Sequence, residues 1–98
     1  MAHGVDQLAA HFAAIASCIE ECCPEATLQG LMDQAKAFCE MPGSPELKPL
    51  LSHLSTVLQT WQDVWPRLGG QREFRAAVAR EARRWSQQLL SHELEQAP

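Results

Sequence analysis

The chain has 98 residues, 46% of them hydrophobic, and a formal net charge of −4 at pH 7. This length supports one domain with one core, so we predict a single domain over residues 1–98. The acidic balance argues against a nucleic-acid-binding domain, and no apolar run is long enough to cross a bilayer. Four cysteines without an export signal indicate a reducing compartment, and we therefore predict a cytoplasmic location.

The first half of the chain carries two helical repeats separated by a proline. Apolar residues recur three and four residues apart from Val5 to Cys22, which predicts a helix over about 5–22. Pro24 cannot continue this helix, because it lacks a backbone N–H and its ring clashes with the preceding turn. The same proline suits the first position of a second helix, which is predicted over 24–41.

A third helix is predicted over 45–66. The Ser-Pro-Glu segment at 44–46 has the order of an N-cap, a first helical residue and a first-turn acid. Pro49 removes one hydrogen bond from the second turn, which favours a regular start nearer Lys48. Pro66 and then the glycines at 69 and 70 are predicted to end this helix, with Arg67 and Leu68 as a frayed exit.

The last segment predicts a fourth helix over 71–95, with one apolar face and one basic face. Counting outward from the glycine pair brings Trp65 near Phe74 and Leu54 near Trp85, so the third and fourth helices should share an aromatic core. We expect Trp85 to be the most important side chain of that core.

The three connections between these segments are short, which makes successive helices antiparallel neighbours. The sequence therefore predicts an all-α fold, namely an antiparallel up-down-up-down four-helix bundle.

The cysteines are the first candidates for chemistry. Cys18 and Cys22 lie one helical turn apart, and with Cys23 they form an alternative site for a thiol-bound metal or for redox sensing. Cys39 lies about 22 Å away along the bundle and cannot join that site. Free cysteines also pack as small hydrophobic residues, so our main prediction is that no metal and no cofactor is bound.

No catalytic motif is present. The sequence lacks a nucleophile elbow, a phosphate-binding glycine loop and a His-Glu-x-x-His zinc motif, and its four histidines are scattered. No residue pattern resembles a known family. We therefore predict a protein that is not an enzyme.

The charges are strongly separated along the chain. Residues 1–46 hold seven acids and one lysine, whereas residues 67–84 hold six arginines and two acids. This arginine-rich stretch is either a solvated helix face, a docking surface for an acidic protein or an oppositely charged second copy, or, as the least favoured option, a nucleic-acid contact. We predict a non-enzymatic interaction module, such as an adaptor, assembly factor, chaperone-like protein or inhibitor. Its partner is a protein, a homodimer is a further prediction, no membrane contact is expected, and the predicted partner-binding residues are Arg72, Arg75, Arg80 and Arg83.

Overall fold

The computed structural model describes residues 3–41 and 47–96. Within these ranges the fold is all-α, as predicted, without any strand; the four helices are α1 (His3–Glu20), α2 (Glu25–Glu40), α3 (Lys48–Leu68) and α4 (Arg72–Gln96). They form an elongated bundle with extents of 43 × 20 × 18 Å. None of these helices contains a stretch that is long and apolar enough to cross a membrane.

The ends of α3 show where prolines act and where they do not. The regular helix begins at Lys48, with Leu47 as the capping residue and Pro49 in the first turn, as the sequence favours; the predicted Ser-Pro-Glu start at 44–46 lies outside the described residues. The regular helix continues past Pro66 through the predicted exit residues to Leu68, and Gly69 caps it. Pro66 removes one backbone hydrogen bond from the last turn of α3, and its ring is exposed.

The C-terminus of α1 closes in a Schellman motif. The amide of Cys22 donates to the carbonyl of Ile19 at 3.3 Å, and the amide of Cys23 donates to the carbonyl of Cys18 at 3.0 Å. Cys22 adopts a φ of 55°, in the left-handed region where this motif usually has glycine. The helix therefore ends two residues before its predicted end at residue 22, and a cysteine carries the conformational cost of the turn.

Replacing this cysteine by glycine should stabilise the protein. We expect Cys22→Gly to raise the free energy of unfolding by about 0.5–1 kcal/mol, because glycine adopts a positive φ without the Cβ clash. Urea denaturation of both proteins measures the difference. Glu21→Gly is the matched control, because Glu21 is also exposed but has no positive φ, and it should lower the stability. Equal effects of the two substitutions would contradict the strain at Cys22.

The closest helix pair is α1 with α4, which pack more extensively than any other two helices. Small buried residues line this contact, among them Ala9 and Ala16 on α1 and Ala79 and Ala82 on α4. Ser86 belongs to the same face, and its hydroxyl donates to the carbonyl of Ala9 at 2.8 Å. Short side chains let two helix backbones approach closely, so α4 turns its small-residue face toward α1.

The helices α3 and α4 approach each other less closely than the other packed pairs, and aromatic side chains lie between them. The predicted neighbours Trp65 and Phe74 do meet, with ring centroids 5.4 Å apart. Trp85 lies beside His53, at 5.5 Å between centroids, and is partly exposed rather than central to the core. The completely buried aromatic residue is Phe12 of α1, which meets Trp61 edge to face at 6.1 Å.

Polar contacts join α2 to α3 along the outside of the bundle. Gln62 donates to Asp33 at 2.7 Å, and Lys36 donates to Gln59. As residue numbers rise on α2, those of the partners on α3 fall, which fits the predicted antiparallel order of successive helices.

Candidate functional site

An open groove lies between the C-terminal end of α1 and the N-terminal half of α4. Its volume is about 730 Å³, within the usual range for a binding site. Its floor consists of small or apolar residues, including Ile19, Ala76 and Ala79. Five arginines and a single acidic residue, Glu20, line it. We call it the arginine groove; its arginines are Arg72, Arg75, Arg80, Arg83 and Arg84.

Arg75, at one end of the arginine groove, stabilises the bundle through intramolecular contacts. Its guanidinium donates to the carbonyl of Gly69 at 2.9 Å and to the carbonyl of Ile19 at 3.3 Å. It also lies over the ring of Trp65, 5.5 Å from the centroid. Because these carbonyls lie at the C-terminal ends of α1 and α3, Arg75 joins two helix ends and has little freedom to engage a partner.

Arg83 is paired across the groove with Glu20 of α1. Two of its nitrogens, Nε and Nη2, donate to the two carboxylate oxygens of Glu20. These hydrogen bonds hold the pKa of Glu20 below its ordinary value. Both side chains are about half exposed, so solvent screens the pair and its main effect is to fix the position of Arg83. This pair neutralises one of the five positive charges.

The other three arginines of the groove are exposed. Among the side chains that the structure describes, at residues 5–41 and 47–91, neither Arg72 nor Arg80 has a hydrogen-bond or ion-pair partner. Arg84 has one loose contact, with its Nη1 3.9 Å from Glu81. Solvated guanidinium groups of this kind remain available for carboxylates or phosphates.

The four arginines predicted as partner-binding residues all line this one groove, but they differ in whether their side chains are available to a partner. Arg72 and Arg80 are free within the described chain, whereas Arg75 and Arg83 are engaged in holding the bundle together. Sequence reasoning missed Arg84 as a groove residue. Its spacing of four residues from Arg80 is a signal for a shared helix face.

The three cysteines near the α1 and α2 junction do not face the same way. Cys18 is buried, and burial together with a hydrogen bond to the Cys23 thiol raises its pKa to about 11. Cys22 is exposed and lines the arginine groove. The fourth cysteine, Cys39, is also buried, which raises its pKa to about 11. All four are free thiols, and two are held in the protonated form that neither binds metals nor attacks disulfides.

Within the described part of the chain, no three His, Cys, Asp or Glu side chains form a group that could hold a metal ion. No protein-family model matches the chain, and no curated protein or solved structure matches it significantly. What bears on function is therefore the geometry and charge of the arginine groove.

Proposed function

We propose that this protein is a non-enzymatic interaction module that binds an acidic surface of another protein in the arginine groove. The observation that supports this most is the set of arginines without strong intramolecular partners, Arg72, Arg80 and Arg84, above a small apolar floor. Positive groups concentrated in one concave surface of a chain whose net charge is −4 favour a negatively charged partner and steer its approach. Adaptor, assembly, chaperone-like and inhibitory roles all use such a surface.

Charge also bears on whether the partner is a second copy. Two copies related by a twofold axis through the groove would bring the same arginines face to face. Like charges opposed in an interface cost several kcal/mol. The groove therefore favours a different, acidic protein, and a homodimer of this chain would use another face. We further propose a cytoplasmic location, because four free thiols fit a reducing compartment.

Charge reversal in the groove tests this proposal. We expect the double variant Arg72→Glu/Arg80→Glu to lose at least about tenfold in retention of proteins captured from the native host, because opposed acids repel each other. Quantitative mass spectrometry of the captured proteins gives the readout.

Arg67→Glu is the control, because Arg67 is exposed on α3 and does not line the groove. Its captured proteins should match those of the wild type. Equal capture by the double variant and the wild type would contradict a role of the groove, and circular dichroism checks that each variant stays helical.

A further inference from the structure

The arginine groove has a definite order of side chains along α4. Arg72, Ala76, Arg80 and Arg84 follow one another every four residues, and all four line the groove. Neighbours in this row are about 6 Å apart along the helix axis, so the row spans about 18 Å. It is one ridge of α4, with a gap at Ala76 between two positive positions.

From this order we propose that the groove holds an acidic amphipathic helix of the partner, which lies along α4 with one apolar and three acidic side chains in a row. This inference rests on the proposed function above and specifies its partner. A row of residues four apart on the partner helix has the same spacing as the row on α4, so side chains can meet pairwise. Three carboxylates then face the three arginines, and one apolar side chain faces Ala76.

The floor of the groove favours an apolar side chain at that one position. Ala76 and Ala79 have short side chains between Arg72 and Arg80, and the buried Ile19 of α1 lines the same groove. An apolar side chain seated there loses its contact with water, which stabilises the complex. A carboxylate at the same position would be placed against methyl groups without a donor.

The walls of the groove favour a helix over an extended strand. The long wall of the groove is α4, whose backbone groups beyond its first turn are bonded within the helix. An extended segment would bury backbone groups there without partners, at a cost that a helix avoids by bonding its own backbone. Nucleic acid is disfavoured, because the chain has a net charge of −4 and Glu20 places a carboxylate in the groove.

Synthetic helical peptides test this inference by titration of the isotopically labelled protein in NMR. Two peptides carry Glu, Leu, Glu, Glu or the reverse order at successive positions four residues apart, which covers both directions along α4. A third peptide has the same composition with leucine at the end of the row, so it cannot place leucine opposite Ala76 while its three glutamates face the three arginines. We expect one of the first two peptides to bind about tenfold more tightly than the third.

Variants of the protein test whether the apolar side chain of the peptide binds at Ala76. Ala76→Gln should weaken binding of the tighter-binding peptide by about fivefold or more, because the longer side chain fills the gap between Arg72 and Arg80. The control Ala77→Gln should leave binding within about twofold, because Ala77 is exposed on the same helix but does not line the groove. Arg80→Glu should abolish the binding of all three peptides.

The outcomes separate this inference from the proposed function. If all three peptides bind equally and Arg80→Glu abolishes this binding, the proposed order of side chains on the partner helix is wrong. The proposed function, binding of an acidic partner in the arginine groove, would still stand. Absence of binding by every peptide would overturn both. Tighter binding of a single-stranded oligonucleotide than of any peptide would overturn both in favour of nucleic acid.

Discussion

Replacement of Phe12 by alanine is expected to lower the free energy of unfolding by about 3–5 kcal/mol, the largest loss for any single side chain of this fold. Phe12 is completely buried and meets Trp61 edge to face. Its removal takes a large apolar surface away from the core and leaves a cavity that the surrounding helices fill only in part. Denaturant melts followed by circular dichroism measure the loss.

The size of this effect matters because small domains are stable by only about 5–15 kcal/mol. Leu90→Ala is the control, because Leu90 is a large apolar residue that is 41% exposed on α4, and it should cost about 0.5 kcal/mol or less. Should Phe12→Ala lose less than about 1 kcal/mol, the packing of α1 in the centre of the bundle would be wrong. Phe12→Leu keeps the measurement possible if the alanine variant does not fold.

Substitution of Gly69 by alanine is expected to cost about 1–3 kcal/mol, the range for overpacking. A Cβ at this position would lie 2.5 Å from Nε1 of Trp65, 2.7 Å from its Cδ1 and 2.6 Å from its backbone oxygen. The backbone oxygen cannot move without distorting α3, and the indole cannot move without leaving Arg75 and Phe74. Thermal melts monitored by tryptophan fluorescence report both the stability and the change around Trp65.

The neighbouring glycine provides the matched control. A Cβ at Gly70 meets no atom within 4 Å, and its φ is not positive. Gly70→Ala should therefore be neutral or slightly stabilising, because alanine restricts the unfolded chain. If both substitutions cost the same, the close approach of Trp65 is not the reason for the glycine at 69.

The two glycines illustrate which features of the fold can be predicted from the sequence and which depend on tertiary packing. Apolar periodicity predicts four helices, with ends within a few residues of those found, because a repeat of three and four residues has one structural meaning. The glycine pair also predicts the turn before α4. That Gly69 is required by an indole and not by its φ depends on tertiary packing, which no local pattern contains. The same holds for Pro66, which a helix tolerates near its end.

The orientation of α4 explains the error about Trp85. Its sequence has two usable faces, one with Phe74 and Trp85 and one with Ala79, Ala82 and Ser86. Counting across the nearest turn favours the aromatic face, since it considers α3 alone. In the structure the small-residue face of α4 packs against α1. The two helices can approach closely because α1 also presents alanines at this contact. A pairing between helices distant in sequence is not visible from a single turn.

The candidate site divides in the same way. Arginine enrichment in residues 67–84 predicts a positive surface, and the predicted residues do line one groove. Which arginines are committed to the bundle depends on α1, because the carbonyl of Ile19 and the carboxylate of Glu20 come from that helix. The division into structural Arg75 and Arg83 and available Arg72 and Arg80 therefore requires the folded chain.

The close contact of α1 with α4 also governs the order in which the protein can fold. Ala9 and Ser86, which are joined by a hydrogen bond, are separated by 77 positions in the chain. Contacts between such distant residues form late, because a long loop must close first. During synthesis, α1 leaves the ribosome well before its main packing partner exists, so its apolar stripe stays open to solvent or to a chaperone until α4 has emerged.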